Sequence, residues 1–221
     1  MPQTRSLQLS PSLQPGEPAQ DFTLPAIQRD GMISLADYRG RSPLLLALFR
    51  GIYCPFCRRA IAQLSLTGDK LAALGVETLA VVATEVERVR LYFRYRPTRL
   101  SLAADPALAT FRAFRVPKPE PTSEFMESLR TARTDVGGEL PEPMSILDAA
   151  NALDEKDRFE FTQTDNEEME RQFPQLVGQF LVDRAGIIRW VNIEAAREGV
   201  AGLGEFPPAE EFLAATATLR A

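Results

Sequence analysis

Ser42-Pro43-Leu44-Leu45-Leu46-Ala47-Leu48-Phe49-Arg50-Gly51-Ile52-Tyr53-Cys54-Pro55-Phe56-Cys57 is the stretch on which the reading of this chain turns. Residues 42–49 form a continuous apolar run of strand length, the pattern of a central strand buried on both faces. The run passes through residues 50–53 straight into a Cys-x-x-Cys. From 55 to 74 the periodicity becomes helical, with Cys57, Ile61, Leu64 and Leu71 near one face and Gly75 as the stop. Pro55 suits the first helical position, where its missing N–H is not needed. The motif therefore sits where a buried strand turns into a helix.

Working outward, residues 75–84 (GVETLAVVAT) read as a second buried strand. Residues 85–96 read as a helix with Val86, Val89 and Phe93 on one stripe, ended by Pro97. A short strand at 100–104 and a helix at 106–114 follow. This alternation predicts right-handed βαβ units and a mostly parallel sheet. Upstream, residues 21–25 and 32–35 are short strand candidates around the turn Arg29-Asp30-Gly31, and residues 36–40 resemble one helical turn stopped by Gly40. The Pro-, Ser- and Gln-rich lead-in reads as extended, which sets an N-terminal segment at 1–15 before a single domain at 16–220. Downstream, 179–182 and 187–192 flank the turn Asp183-Arg184-Ala185-Gly186 as a hairpin, and Pro207-Pro208-Ala209-Glu210-Glu211 opens a last helix.

Between these regular parts lies an insertion at about 117–175, opened by Pro117, Pro119 and Pro121 and lacking a clear strand–helix alternation. Residues 139–171 carry eleven Asp/Glu against three Lys/Arg, while Arg88, Arg90, Arg94, Arg96, Arg99, Arg112 and Arg115 crowd the segment before it. Two readings follow: solvated surface in both places, or an acidic insertion packed on basic helices of its own or a second subunit. Arginine suits such pairing, because its planar fork matches a carboxylate.

Composition removes whole classes of chemistry. With no histidine, Ser-His-Asp and Cys-His nucleophile systems and His-ligated metal sites are excluded. Two cysteines cannot make a disulfide-stapled scaffold, and a zinc site would need a dimer sharing four thiolates. No resident metal or cofactor is expected. A net charge of −5 argues against nucleic acid as a partner, and no apolar run is long enough to span a membrane. The first 20 residues lack the apolar centre of a secretory signal, so the cytoplasm is the expected location.

The two cysteines carry the chemistry. A helix N-terminus offers unpaired N–H groups and a positive dipole end, both of which favour thiolate over thiol. Cys54 is expected to be exposed and nucleophilic, and Cys57, one turn deeper, to reach its sulfur and close a disulfide. Arg50, Arg58 and Arg59 flank the motif and can lower the thiol pKa further. The bland alternative is a pair of structural cysteines packed on a helix. It leaves unexplained why the only two stand at this junction. Trp190 reads as hairpin core, the aromatic–basic alternation at 92–96 as core plus surface, and the glycines at 199–204 have the wrong spacing for a dinucleotide fingerprint.

Taken together, GEPAQDFTLP (16–25), DGMISLADYRG (30–40), SPLLLALFRGIYCPFCRR (42–59), GVETLAVVAT (75–84), SLAADPALATFRAFRV (101–116) and FLVDRAGIIRWVN (180–192) follow one another as in the redoxins. The chain resembles peroxiredoxin-like proteins of the AhpC/TSA superfamily over roughly residues 16–116 and 176–220. The resemblance implies a thioredoxin-like α/β fold: a central mixed sheet flanked by helices, with an insertion before the C-terminal hairpin. It implies Cys54 as the thiolate that attacks a hydroperoxide, Cys57 as the residue that resolves the sulfenic acid, and an external thiol reductant of thioredoxin or glutathione type. In thioredoxin-like members Cys54 instead attacks a protein or glutathione disulfide. A third reading is a non-enzymatic redoxin-fold binding or switch protein.

The pattern departs from that of typical peroxiredoxins in three places. Gly51 and Ala47 stand where they carry a Thr or Ser and a Pro, and Val177 and Gly178 stand where an Arg is usual. Thioredoxins have a cis-proline at that last place, and Pro174 falls three residues early. Arg50 is the candidate to replace the missing arginine, and Pro55 a further supporting residue. The insertion is expected to wall one side of the active site or to form a homodimer interface.

Overall fold

Apolar β-branched and leucine-rich runs become the sheet, and the sheet carries the motif. The computed structural model describes residues 9–136 and 138–220, so the first eight residues of the extended lead-in lie outside the described residues. In chain order the elements are β1 (Thr23–Pro25), β2 (Met32–Ser34), β3 (Leu44–Phe49), α1 (Pro55–Ala73), β4 (Glu77–Val82), α2 (Val86–Tyr95), β5 (Ser101–Ala104) and α3 (Ala109–Ala113). The insertion then supplies α4 (Ser123–Thr131), β6 (Arg133–Thr134), β7 (Met144–Ser145), α5 (Ile146–Asp157) and α6 (Gln163–Gln172). β8 (Gly178–Val182), β9 (Ile188–Ile193) and α7 (Ala209–Ala215) complete the fold.

The main sheet has the order β5-β4-β3-β8-β9. β3 pairs parallel with β4 (Leu46 opposite Leu79), and β4 pairs parallel with β5 (Val81 opposite Ala103). On the other side β3 pairs antiparallel with β8 (Leu46 opposite Phe180), and β8 with β9 (Phe180 opposite Val191). The expectation of a mostly parallel sheet is thus corrected to a mixed one. The βαβ alternation ends after β5, and the late hairpin supplies the remaining two strands antiparallel. The mixed sheet is what the redoxin resemblance implied.

Every residue of β3 is buried, as are Phe111, Phe114, Phe180 and Phe212 around it. Each such side chain contributes about 1.5–3 kcal/mol by leaving water. β1 and β2 form a separate antiparallel pair, with Gly31 at φ +95° in the turn, a conformation that favours glycine. β3 ends at Phe49, so Arg50 to Tyr53 leave the sheet at the carboxyl end of a central strand, where open α/β sheets place their sites.

The insertion is more ordered than its sequence suggests. Thr122, Ser145 and Thr162 each cap a helix by accepting a backbone N–H three residues on, and Thr162 and Asp165 form a capping box. β6 and β7 make a two-residue antiparallel pair, and α5 packs against both α4 and α1.

Candidate active site

Cys54 is the N-cap of α1, with extended backbone angles, and its Sγ accepts a hydrogen bond from the Cys57 N–H at 3.3 Å. Pro55 occupies the first helical turn as the sequence predicts. Both thiols are free, and both are buried: Cys54 is 5% exposed and Cys57 2%. The expected exposure of Cys54 is therefore corrected. The segment that carries it, Gly51 to Tyr53, is itself buried and tied down from the insertion side. Gln172 of α6 accepts from the Gly51 N–H and the Tyr53 hydroxyl through Oε1, each at 3.1 Å, and its Nε2 donates to the Ala83 carbonyl.

The two thiols are driven apart electrostatically. Burial works against ionisation of Cys54, but the hydrogen bond from the Cys57 thiol, the Arg50 charge and the Cys57 N–H outweigh it and bring its pKa down from 9.0 to about 6. Cys57 moves the other way: burial, then its hydrogen bond to Cys54 and the charge there, push its thiol well above the ordinary range. At pH 7 Cys54 is mostly thiolate and Cys57 is a thiol.

Of the three flanking arginines, Arg50 is the one whose charge lowers the Cys54 thiol. Its guanidinium grips Glu194 in a two-pronged pair, Nη1 to Oε2 and Nη2 to Oε1, both at 2.9 Å, and Nη1 also donates to the Gln175 carbonyl at 2.9 Å. Glu194 follows β9 directly, and its oxygens also accept from the Val177 and Gly204 N–H groups. Sequence reasoning missed Glu194, which stands 144 residues from Arg50 and bears no motif.

Arg58 and Arg59 turn instead to the insertion, a correction to their expected role. Arg58 Nη1 donates to the Ile52 and Tyr53 carbonyls at 2.9 and 3.3 Å, while Nη2 meets Asp154 at 2.6 Å and Asp157 at 2.8 Å. Its guanidinium also lies 4.1 Å from the ring centre of Phe159. Arg59 pairs with Asp157 and Glu139. From the basic segment, Arg88 reaches Asp165 of α6 at 2.6 Å. The acidic insertion thus packs on Arg58 and Arg59 of α1 and on Arg88 of α2 in its own chain, while Arg94, Arg96, Arg99, Arg112 and Arg115 of the basic segment are solvated surface, so each reading holds in part.

At Gly51 a Cβ would fall 2.5 Å from the Tyr53 ring and 2.9 Å from Thr84 Oγ1, so the place where peroxiredoxins carry a hydroxyl is closed to one here. A buried hydroxyl is present close by, on Thr84. Its Oγ1 accepts from the Ile52 N–H at 3.1 Å and donates to Glu168 of α6 at 2.7 Å. The Phe173–Pro174 peptide is cis, at the junction between insertion and β8, rather than at Val177 or Gly178.

A slot of about 10 Å³ lies beside Cys57, lined by Arg50, Phe56, Glu194, Glu205 and Phe206 among others. Next to it, a groove of about 460 Å³ runs between α1 and the insertion, lined by Phe56, Arg59, Leu66, Val136, Glu139 and Glu205. The insertion therefore walls one side of the neighbouring groove. Among the described residues no three His, Cys, Asp or Glu side chains converge to hold a metal ion, and no helix is long and apolar enough to cross a membrane.

The AhpC/TSA family profile matches residues 15–191. Among solved structures, the peroxidoxin BcpB from Mycobacterium tuberculosis is 14% identical, with a TM-score of 0.56 over 94% of this chain and 97% of that one. The reduced 2-Cys peroxiredoxin from Plasmodium vivax is 13% identical, with a TM-score of 0.57 over 90% of this chain and 77% of that one. A chain from Chlorobium tepidum provisionally named thiol:disulfide interchange protein DsbE is 19% identical, with a TM-score of 0.53 over 92% and 99%. At these identities the likeness is one of fold. No curated protein sequence matches the chain.

Proposed function

The chain belongs to the AhpC/TSA family, and we propose that it works there as a thiol-dependent peroxidase in which Cys54 and Cys57 share one redox cycle. The observation that carries this reading is the split pair: a Cys54 thiolate held at a helix N-terminus beside Arg50, with Cys57 kept as a thiol one turn deeper. The Cys54 thiolate attacks one peroxide oxygen, the O–O bond breaks, and the departing oxygen leaves as water or an alcohol after taking a proton. The resulting sulfenic acid condenses with the Cys57 thiol, expelling water and forming the S–S bond. An external thiol reductant, of thioredoxin or glutathione type, returns two electrons and two protons.

Size supports a small oxidant. Cys54 is 5% exposed, and the slot of about 10 Å³ opens beside Cys57 rather than Cys54, so a small oxidant needs far less rearrangement to reach the Cys54 sulfur than a protein disulfide does. Arg50, locked by Glu194, takes the place of the arginine that typical peroxiredoxins bring from the later strand. A cycle that needs a thiol reductant suits the cytoplasm.

A second reading, a disulfide reductase, is favoured by one observation. No hydroxyl stands at Gly51 to polarise a peroxide, whereas a low Cys54 beside a high Cys57 suits thiol exchange equally well. The deciding experiment is thiol loss from the reduced protein on mixing with hydrogen peroxide. Loss far faster than for free cysteine, and abolished in Cys54→Ser, is expected. Loss no faster than free cysteine drops the peroxide reading and turns the search to glutathione and protein disulfides.

A further inference from the structure

Cys57 acts as a nucleophile only after losing a proton that its surroundings hold tightly. Burial favours its protonated form, and this persists once Cys54 is oxidised and the thiolate charge that adds to it in the reduced protein is gone. The chain has no histidine to receive that proton. Besides Cys57, the titratable groups lining the slot are Arg50, Glu194 and Glu205. Arg50 stays protonated, because the charges of Cys54 and Glu194 outweigh its burial. Both oxygens of Glu194 are committed: Oε1 accepts from Arg50 Nη2 and the Gly204 N–H, and Oε2 from Arg50 Nη1 and the Val177 N–H. A carboxylate already taking four donors is a poor proton acceptor.

Glu205 is the group that remains. It is exposed at the mouth of the slot, next to Gly204, and lines both the slot and the 460 Å³ groove. The acidic groups facing it are Glu198, to which it is hydrogen-bonded, and Asp135. Burial and these two neighbours raise its pKa above 4.5, which makes its carboxylate a better proton acceptor than an isolated one. The slot, about 10 Å³, has room for one water.

We propose that Glu205 is the proton-relay residue of the resolving step, taking the Cys57 proton through one water in the slot. The inference rests on the two-cysteine cycle above and adds the path of its proton. In that step the Cys57 S–H bond breaks and the proton passes through the water to the Glu205 carboxylate. The Cys57 thiolate then forms the S–S bond to Cys54. The group leaving Cys54, hydroxide from a sulfenic acid or a thiolate from a mixed disulfide, regains a proton from Glu205 or from solvent. No net oxidation occurs beyond that already stored on Cys54.

The test bypasses the natural oxidant. Methyl methanethiosulfonate places a methylthio group on Cys54 with loss of methanesulfinate. Attack by Cys57 then expels methanethiol and leaves the internal disulfide, and mass spectrometry of quenched samples follows both steps. In Glu205→Gln the first step is expected to keep its rate, while the second slows by about 10-fold or more near neutral pH and recovers as hydroxide takes over at alkaline pH. Glu205→Asp is expected to restore part of the rate, and Glu198→Gln to move the acid limb of the second step to lower pH. A second step unchanged in Glu205→Gln, or slowed by one factor at every pH, overturns the relay. A wild-type adduct that never converts to the disulfide overturns the two-cysteine cycle and the relay with it. A failed peroxide assay, by contrast, leaves this experiment fully informative.

Discussion

β3 and α6 bury opposite kinds of side chain. β3 turns six apolar residues inward, whereas the buried residues of α6 are Asp165, Glu168 and Gln172, one helical face at i, i+3 and i+7. Each of the three has a partner in the redoxin part: Arg88 for Asp165, Thr84 and the Glu85 N–H for Glu168, and Gly51, Tyr53 and Ala83 for Gln172. The apolar half supplies undirected stability. The polar half is specific, because each buried donor or acceptor is satisfied by one particular partner.

Substitutions can test whether the two halves divide labour in this way. The largest effect is expected on the apolar side. Leu46→Ala removes a fully buried side chain from β3 and should cost about 2–5 kcal/mol in urea unfolding. The pH midpoint of Cys54 alkylation should stay where it is. Arg58→Met breaks a buried pair and strands Asp154, at a cost of about 3 kcal/mol by the same measurement. Hydrogen exchange across residues 50–54 should speed up as well, because the Ile52 and Tyr53 carbonyls lose a donor. If Arg58→Met leaves that exchange untouched, the insertion is a passenger rather than a clamp.

Gln172→Ala sharpens the comparison on a smaller scale. It leaves the Gly51 N–H and the Tyr53 hydroxyl without their acceptor, for about 1–3 kcal/mol, and should perturb the site more than Leu46→Ala does despite costing less stability. The smallest effect in energy is electrostatic. Alkylation of Cys54 should rise as pH passes about 6 and level off above, following the thiolate. In Arg50→Gln the positive charge is gone, so the thiolate is less favoured and the midpoint should move upward by about one unit, or about 1.4 kcal/mol. A midpoint that stays near the wild-type value would assign the low pKa to the helix terminus and Cys57 alone.

The same contrast explains what could be read from the residues alone. β3, α1, β4 and the late hairpin are announced by apolar runs and periodicity, with ends shifted by a residue or two. The fit extends to the Cys-x-x-Cys junction, because a strand–helix boundary is a local event. Of the helices in the insertion, α6 is the one hydrophobic periodicity cannot announce, since its buried face is made of Asp165, Glu168 and Gln172. For α4 and α5 the signals available were short apolar stripes, Phe125 with Leu129 and Ile146 with Ala149 and Leu153, together with the caps Thr122 and Ser145; for α6 it was the cap Thr162. Cys54, Cys57 and Arg50 were legible by proximity to the motif. Glu194, Gln172, Thr84 and Glu205 were not, because the topology brings them to the site from distant parts of the chain. The direction of Arg58 was illegible for a further reason: its neighbourhood in sequence is the motif, while its partners belong to α5.

Arg58 also binds the two halves together as a matter of descent. One guanidinium serves the Ile52 and Tyr53 carbonyls on one side and Asp154 and Asp157 on the other. Loss of the insertion would leave Arg58 without its two carboxylates, and loss of Arg58 would leave Asp154 without its arginine. Neither can drift alone without stranding the other. Relatives that keep an arginine directly after the second cysteine are therefore expected to keep acidic residues on a helix of the insertion, and relatives lacking one to lack both.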